Sequence, residues 1–425
     1  MANIKYNNIE WLGDIPTEWN VDQIGNYYEL RNEKVNDYDF APLSVTMKGV
    51  VPQLATAAKS NDHTNRKLVK KGDFVINSRS DRRGSCGISP LDGSVSLINT
   101  VMEPRGEMNP QYYNWLFHTE QFADEFYKWG HGIVNDLWTT RWQEMKKILI
   151  VAPELDEQQA IADYLDKKCS KIDEIIAESK ASIEDYKELK QSVIFEAVVK
   201  GLDKNVEMKN SSIEGMGLIP EKWSVVRFMK TNYVRARLGW KGLKAEEYVD
   251  TGYPFLSAYH IVNNHLNWEN LNYITAERYD ESPEIKLSIG DLLLVKDGAG
   301  IGKCARIDDM PLGEATVNSS LSVITPNKSL DYRYVYYYFL SPLFQNIITR
   351  LKNGMGVPHL TQESMKDIYL PLPSKIEQEE IVDFLDKKIS EIDSLISEKE
   401  SLIKDLEAYK KSLIYEVVTG KRRVV

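Results

Sequence analysis

The chain repeats itself, and any fold it adopts must therefore contain one module twice. Ile9-Glu10, Gly13, Ile15-Pro16, Trp19 and Val21 return at one constant offset as Ile213-Glu214, Gly217, Ile219-Pro220, Trp223 and Val225. Gly72-Asp73-Phe74-Val75-Ile76 matches Gly290-Asp291-Leu292-Leu293-Leu294, and Gly84-Ser85-Cys86 matches Gly302-Lys303-Cys304. Glu157-Gln158, Ile161, Asp163 and Leu165-Asp166-Lys167-Lys168 reappear as Glu377-Gln378, Ile381, Asp383 and Leu385-Asp386-Lys387-Lys388. The loops drift in length while the order of the motifs is kept.

The last of these blocks opens a long helix in each copy. Ile161, Leu165, Cys169, Ile172, Ile176, Ser179, Ile183, Tyr186, Leu189 and Val193 advance by threes and fours, as do Ile381, Leu385, Ile389, Ile392, Ile396, Lys399, Ile403, Leu406, Tyr409 and Leu413. Each set reads as a heptad seam. Ser374 and Glu377 form a capping box, Pro153 and Pro373 stand just upstream, and Gly201 and Gly420 supply stops. About 43 residues at about 1.5 Å each give a rod of roughly 65 Å. A rod that long with one apolar stripe needs a partner, and two seams in one chain pair most simply with each other, as an antiparallel coil.

The expected organisation is a globular domain at 1–153, a helix at 154–203, a second domain at 204–375 and a second helix at 376–425. The fold class is α+β. Short β-rich runs such as Asp73 to Asn77 and Leu292 to Lys296 end in glycine turns, and Tyr112 to Trp129 and Tyr332 to Leu351 carry helix-like aromatic spacing.

Charge sharpens the functional question, because a net charge of −10 runs against nucleic-acid binding. Most of the excess acid lies in the two helical stretches, however, and the domains carry local basic runs. In the first, Lys59, Arg66, Lys67, Lys70, Lys71, Arg79, Arg82 and Arg83 face only Asp62, Asp73 and Asp81. The second has Lys222, Arg227, Lys230, Arg235, Arg237, Lys241 and Lys244 with no carboxylate between Glu221 and Glu246, interleaved with Trp223, Tyr233 and Trp240. Such runs are as readily solvated surface as binding face, and Trp223 reads as core because its counterpart Trp19 lacks basic neighbours.

Catalytic patterns do not stand up. Asp297-Gly298-Ala299-Gly300-Ile301-Gly302-Lys303 resembles a phosphate-cradling loop but is too short for a P-loop, with Cys304 where a magnesium-holding hydroxyl belongs. The matching loop, Ser80-Asp81-Arg82-Arg83-Gly84-Ser85-Cys86-Gly87, lacks that glycine spacing, which also counts against a methyl-donor site and favours a turn. Asn109-Pro110-Gln111-Tyr112 is a near miss to an amino-methyltransferase motif and reads as a helix start. Pro283-Glu284-Ile285-Lys286 lacks an acidic partner for a nuclease metal site. Six histidines form no ligand or triad pattern, and Cys86, Cys169 and Cys304 lie far apart with no CxxC. No metal or cofactor is expected, no segment reaches the roughly 18 apolar residues of a membrane span, and the cytoplasm is the expected location.

The Ile-Pro-x-x-Trp openings at Ile15 to Trp19 and Ile219 to Trp223, the Gly-Asp strand before a glycine turn, and the Pro-x-x-x-Glu-Gln entry into each long helix together resemble the specificity subunits of type I restriction-modification systems. The likeness covers nearly the whole chain. It implies two target-recognition domains, each reading half of a split site on double-stranded DNA, and two spacer helices paired antiparallel. It further implies that two methyltransferase subunits dock on those helices, that restriction subunits join them, and that methylation and cleavage belong to these partners. Base contacts are then expected from Arg79, Arg82, Arg83, Trp240, Lys241 and Lys303, and a non-palindromic bipartite target. The alternatives are a coiled-coil scaffold whose domains bind peptide, and a solitary methyltransferase.

Overall fold

The two Gly-Asp runs become the central strands of two sheets with the same topology. The computed structural model describes the chain except residues 1–3, 6–8, 57–62, 133–137, 237–242, 244, 354–358, 362–364 and 425. Contacts divide it into two units, residues 1–180 with 400–425, and residues 181–399.

In the first unit β1 (Tyr28–Leu30), β2 (Phe74–Asn77), β3 (Cys86–Ile88) and β4 (Asn99–Pro104) form an antiparallel sheet in the order β3-β2-β4-β1. Every residue of β2 is buried, and alternate side chains serve opposite faces. Phe74 and Ile76 enter a core with Tyr28, Tyr112, Tyr113, Phe117, Phe122 and Phe126, whereas Val75 joins Leu43, Val50, Val69, Val95 and Val101 on the other side. A central strand covered on both faces reads as a continuous apolar run, as this one does. The aromatic stretch after the sheet forms two helices, α1 (Pro110–Phe117) and α2 (Glu120–Lys128). Asn109 caps α1 by accepting the Tyr112 N–H at 3.1 Å, which makes the Asn-Pro-Gln-Tyr run a helix start.

The second unit repeats the plan. Here β5 (Asn232–Arg235), β6 (Leu292–Val295), β7 (Cys304–Arg306) and β8 (Leu321–Pro326) are ordered β5-β8-β6-β7. Leu292 and Leu294 pack under α3 (Tyr332–Leu340) and α4 (Pro342–Asn353), while Leu293 and Val295 face Leu256, Ile261, Ile307 and Val317.

The first long helix spans Leu155–Phe195 and finishes in a wider turn, Glu196–Lys200, before Gly201 at φ 76°. The second spans Lys375–Val418, just short of Gly420 at φ 73°. Ser374 and Glu377 complete the capping box through bonds of 3.0 and 3.3 Å. The pairing is antiparallel: in the first unit Asp173 meets Lys410 at 2.6 Å and Lys180 meets Glu407 at 3.9 Å, so one number rises as the other falls. In the second unit Lys190 meets Asp393 at 2.6 Å.

Among the seam residues, Ile161, Leu165, Ile172 and Ile176 are buried in the first unit, where Ile403 is half-buried. Ile183, Ile381, Leu385 and Ile392 are buried in the second, where Ile396 is half-buried. Two seam residues read from the spacing are wrong. Leu189 and Tyr409 are each 47% exposed, and the stripe runs through Lys190 and Lys410 instead. A lysine at a seam position disguises the register, because its stem packs while its ammonium reaches an aspartate on the facing helix.

Candidate nucleic-acid interface

The repeated motifs first build anchors. Trp19 and Trp223 are 1% and 2% exposed, and their indole N–H groups donate to Glu157 at 2.8 Å and Glu377 at 3.2 Å. The Ile-Pro-x-x-Trp opening thus closes on the glutamate that begins the long helix of its own copy. The neighbouring Gln158 and Gln378 accept the backbone N–H of Asn109 at 2.9 Å and of Asp331 at 2.8 Å. Tyr112 donates to the Val418 carbonyl, and Tyr334 to that of Val198, each at 2.9 Å, so each domain also holds the end of the other copy's helix. Trp115 on Asp166 and Tyr337 on Asp386 complete the parallel at 2.8 and 2.7 Å.

The Gly-Asp aspartates are structural too. Asp73 accepts two bonds from Arg31, at 2.7 and 3.0 Å, and Asp291 two from Arg235, both at 2.8 Å. Arg235 also donates to the carbonyls of Glu284 and Lys286, which assigns the Pro-Glu-Ile-Lys turn to cradling this guanidinium. Arg235 therefore leaves the basic run in which its sequence neighbours place it. Arg66 leaves its run as well, buried at 5% exposure against Ser94, and Lys67 donates to the Asn99 carbonyl. Spacing along the chain does not reveal these partners, which lie 28 to 56 residues away.

Arg79 stands half-buried at the start of the loop after β2, and its guanidinium has no ion pair or hydrogen-bond partner among the described residues. Arg82 is largely exposed, 3.7 Å from Asp81, and Arg83 pairs with Asp124. Lys303 is exposed at the far side of the turn after β6, also without an ion-pair partner among the described residues. Trp240 and Lys241 lie outside the described residues.

The Gly298–Lys303 segment is a turn. The N–H groups of Ile301, Gly302 and Lys303 are consumed by the carbonyls of Gly298, Val295 and Gly300, which takes these three donors away from any phosphate. The turn borders a cavity of about 1210 Å³ in the second unit. Its charges are mostly paired, Lys190 with Asp393 and Arg306 with Asp386, so the cavity offers little to a small ligand. Burial raises the Cys86 and Cys304 thiols and pushes Cys169 up to about 11, so none supplies a thiolate at neutral pH. No cluster of three or more His, Cys, Asp or Glu suited to a metal occurs among the described residues. Among these residues, too, no helix is long and apolar enough to cross a membrane.

The motif reading passed over two features. Tyr259, 81% exposed, and Met47, 71% exposed, project from ordered segments. Asp297 stands in the second unit where Arg79 stands in the first, and the offset linking Gly72 to Gly290 leads straight from one to the other.

Each α+β unit carries the same plan, with the motif residues spent on anchoring and the variable chemistry left on loops. Residues 239–405 match the family model of the type I restriction modification DNA specificity domain. The chain is 23% identical over 424 residues to the specificity subunit of the type I restriction enzyme MjaVIII of Methanocaldococcus jannaschii, covering 96% of this chain and 94% of that one. It is also 23% identical over 209 residues to the EcoKI specificity subunit of Escherichia coli K12, covering 48% and 44%. Its fold is shared with a chain from a solved type I R-M system, at TM-score 0.73 and 16% identity over 96% of this chain and 99% of that one. The HsdS subunit of Thermoanaerobacter tengcongensis shares it at TM-score 0.57 and 17% identity over 96% and 98%. The chain is thus similar, over nearly its whole length, to a specificity subunit of a type I restriction enzyme, and residues 239–405 carry the matching family domain. That likeness favours DNA reading over the peptide-binding scaffold.

Proposed function

We propose that the chain is the sequence-reading subunit of a type I restriction-modification complex in the cytoplasm, and that methylation and cleavage are carried out by its partner subunits. Residues 1–153 and 204–375 act as the two readers, each for one half of an asymmetric bipartite site on double-stranded DNA. Residues 154–203 and 376–425 act as spacers on which two methyltransferase subunits assemble, with restriction subunits joining the complex. Arg79, Arg82, Arg83, Trp240, Lys241 and Lys303 are the candidate DNA contacts, and Arg79 and Lys303 lead because nothing among the described residues neutralises them.

The observation that carries this reading is the division of labour within the repeat. Anchoring residues recur in both copies, Trp19 with Trp223 and Asp73 with Asp291, while Arg79 and Arg83 in one copy give way to Asp297 and Ile301 in the other. Two readers of equal build and different chemistry suit a non-palindromic target. Exposed apolar side chains on the long helices, Leu402 and Tyr409 in the first unit and Phe384 and Leu395 in the second, offer surface for partner helices.

The test is binding of the complex formed with its methyltransferase subunits to duplexes selected from a random library. The expected result is a split motif whose affinity falls by orders of magnitude between about 50 and 200 mM salt, as counterion release requires. Salt-insensitive binding without any motif overturns the proposal.

A further inference from the structure

The loop after the central strand occupies one place in both units, and the hydrogen bonds establish the equivalence. The Thr140 N–H donates to the Ser78 carbonyl at 3.0 Å, as the Leu360 N–H does to the Lys296 carbonyl at 2.7 Å. The Ser78 N–H bonds the Ile98 carbonyl at 3.1 Å, and the Lys296 N–H that of Ser320 at 3.0 Å. The next residue pairs across the same bridge in each, Arg79 with Thr139 and Asp297 with His359. One position of the fold therefore carries a donor-only guanidinium in the first domain and an acceptor carboxylate in the second.

The carboxylate is poorly served by its own protein. Its Oδ1 is buried from solvent and accepts no hydrogen bond from the described residues, and the His359 Nδ1 beside it lies 3.5 Å away. The side chain as a whole keeps 32% of its surface open. Lys296, immediately before it, and Lys303, across the turn, carry ammonium groups without ion-pair partners among the described residues. On a duplex those cations suit phosphates, whereas a carboxylate in the same loop is repelled by phosphate, so the contact open to it is a base edge. At a base edge it tolerates only donors. Guanine O6 and thymine O4 would set acceptor against acceptor, whereas the exocyclic amino groups of cytosine (N4) and adenine (N6) donate.

We propose that Asp297, with His359 packed beside it, is a specificity-determining residue of the second domain that accepts a hydrogen bond from an exocyclic base amino group in its half-site. The assignment rests on the DNA-reading function proposed above. Cytosine is the expected base, being the usual partner of a carboxylate, and adenine shares the chemistry.

The experiment compares motifs selected from random duplexes by the complex carrying the wild-type chain, Asp297→Ala or Asp297→Asn. The wild type should prefer cytosine or adenine at one position of one half-site. Asp297→Ala should cut that preference by about tenfold or more and leave the other half-site as it was. The amide of Asp297→Asn pairs best with adenine, so a cytosine preference should shift towards adenine, and an adenine preference should persist. Identical motifs for the wild type and Asp297→Ala overturn the assignment while the DNA-reading function stands. A wild type that selects no motif overturns both. Asp297→Asn nearly preserves shape, and an unchanged melting temperature separates lost reading from lost folding.

Discussion

Asp291 is 1% exposed and accepts hydrogen bonds from Arg235, from the Thr325 hydroxyl and from the Ser288 N–H. Its Arg235 partner is 13% exposed, so the pair lies largely outside water and each charge depends on the other. Removing one partner strands a buried charge, which costs far more than a surface ion pair gains. Asp291→Ala should therefore destabilise the protein by about 3 kcal/mol, seen as a lowered denaturation midpoint, whereas Asp291→Leu combined with Arg235→Met should cost much less. Glu377 gives a pH-dependent counterpart. Burial works against its charge, but hydrogen bonds from Ser374 and Trp223 outweigh burial and hold its pKa below the usual glutamate value. A depressed folded pKa adds stability above the unfolded value of about 4.3, and that stability is lost as pH falls through the folded one. The stability gap between the wild type and Glu377→Gln should thus be present at pH 7 and close on acidification, as followed by denaturation at each pH.

At the scale of elements, the two inter-helix ion pairs are images of each other. Lys190 with Asp393 and Lys410 with Asp173 join equivalent residues of the two copies with their roles exchanged. The lysines are 25% and 24% exposed and sit in the apolar stripe, where a charge fits only the register that brings an aspartate opposite. Lys190→Glu should destabilise the paired helices by about 1 kcal/mol in thermal unfolding, and adding Asp393→Lys should recover most of that loss. No recovery would show that the pair does not set the register. The same pairs mark where the sequence stopped being legible. The period, the capping box and the glycine stops were readable because they are local. Leu189 and Tyr409 misled because each lies next to a seam lysine whose aspartate is 203 or 237 residues distant. The sheets were readable only at their Gly-Asp strands, since Phe74–Asn77 and Leu292–Val295 are covered on both faces and lack alternation. In the candidate interface the basic runs were legible, but which of their members are free was not. Arg235 and Arg66 are claimed by partners far along the chain.

At the scale of the whole molecule, the repeat predicts that the two readers can be exchanged separately. Each domain touches the long helices through residues present in both copies: Trp19 on Glu157 and Tyr112 on Val418 in the first unit, Trp223 on Glu377 and Tyr334 on Val198 in the second. The loops that differ, such as Arg79 to Arg83 against Asp297 to Ile301, contribute none of these anchors. Replacing residues 20–150 with the matching stretch of a relative therefore spares Trp19, Glu157 and Val418, while Tyr112 must be supplied by the incoming segment. Because that segment brings its own loops, the half-site read by the first domain should change, and the half-site read by the second should stay as it was. The measurement is methylome sequencing of cells that carry the partner subunits with either chain. One half of the methylated motif should differ between the two cultures and the other half should be identical. Both halves changing together would show that the domains do not read independently, and an unchanged motif would place recognition outside residues 20–150.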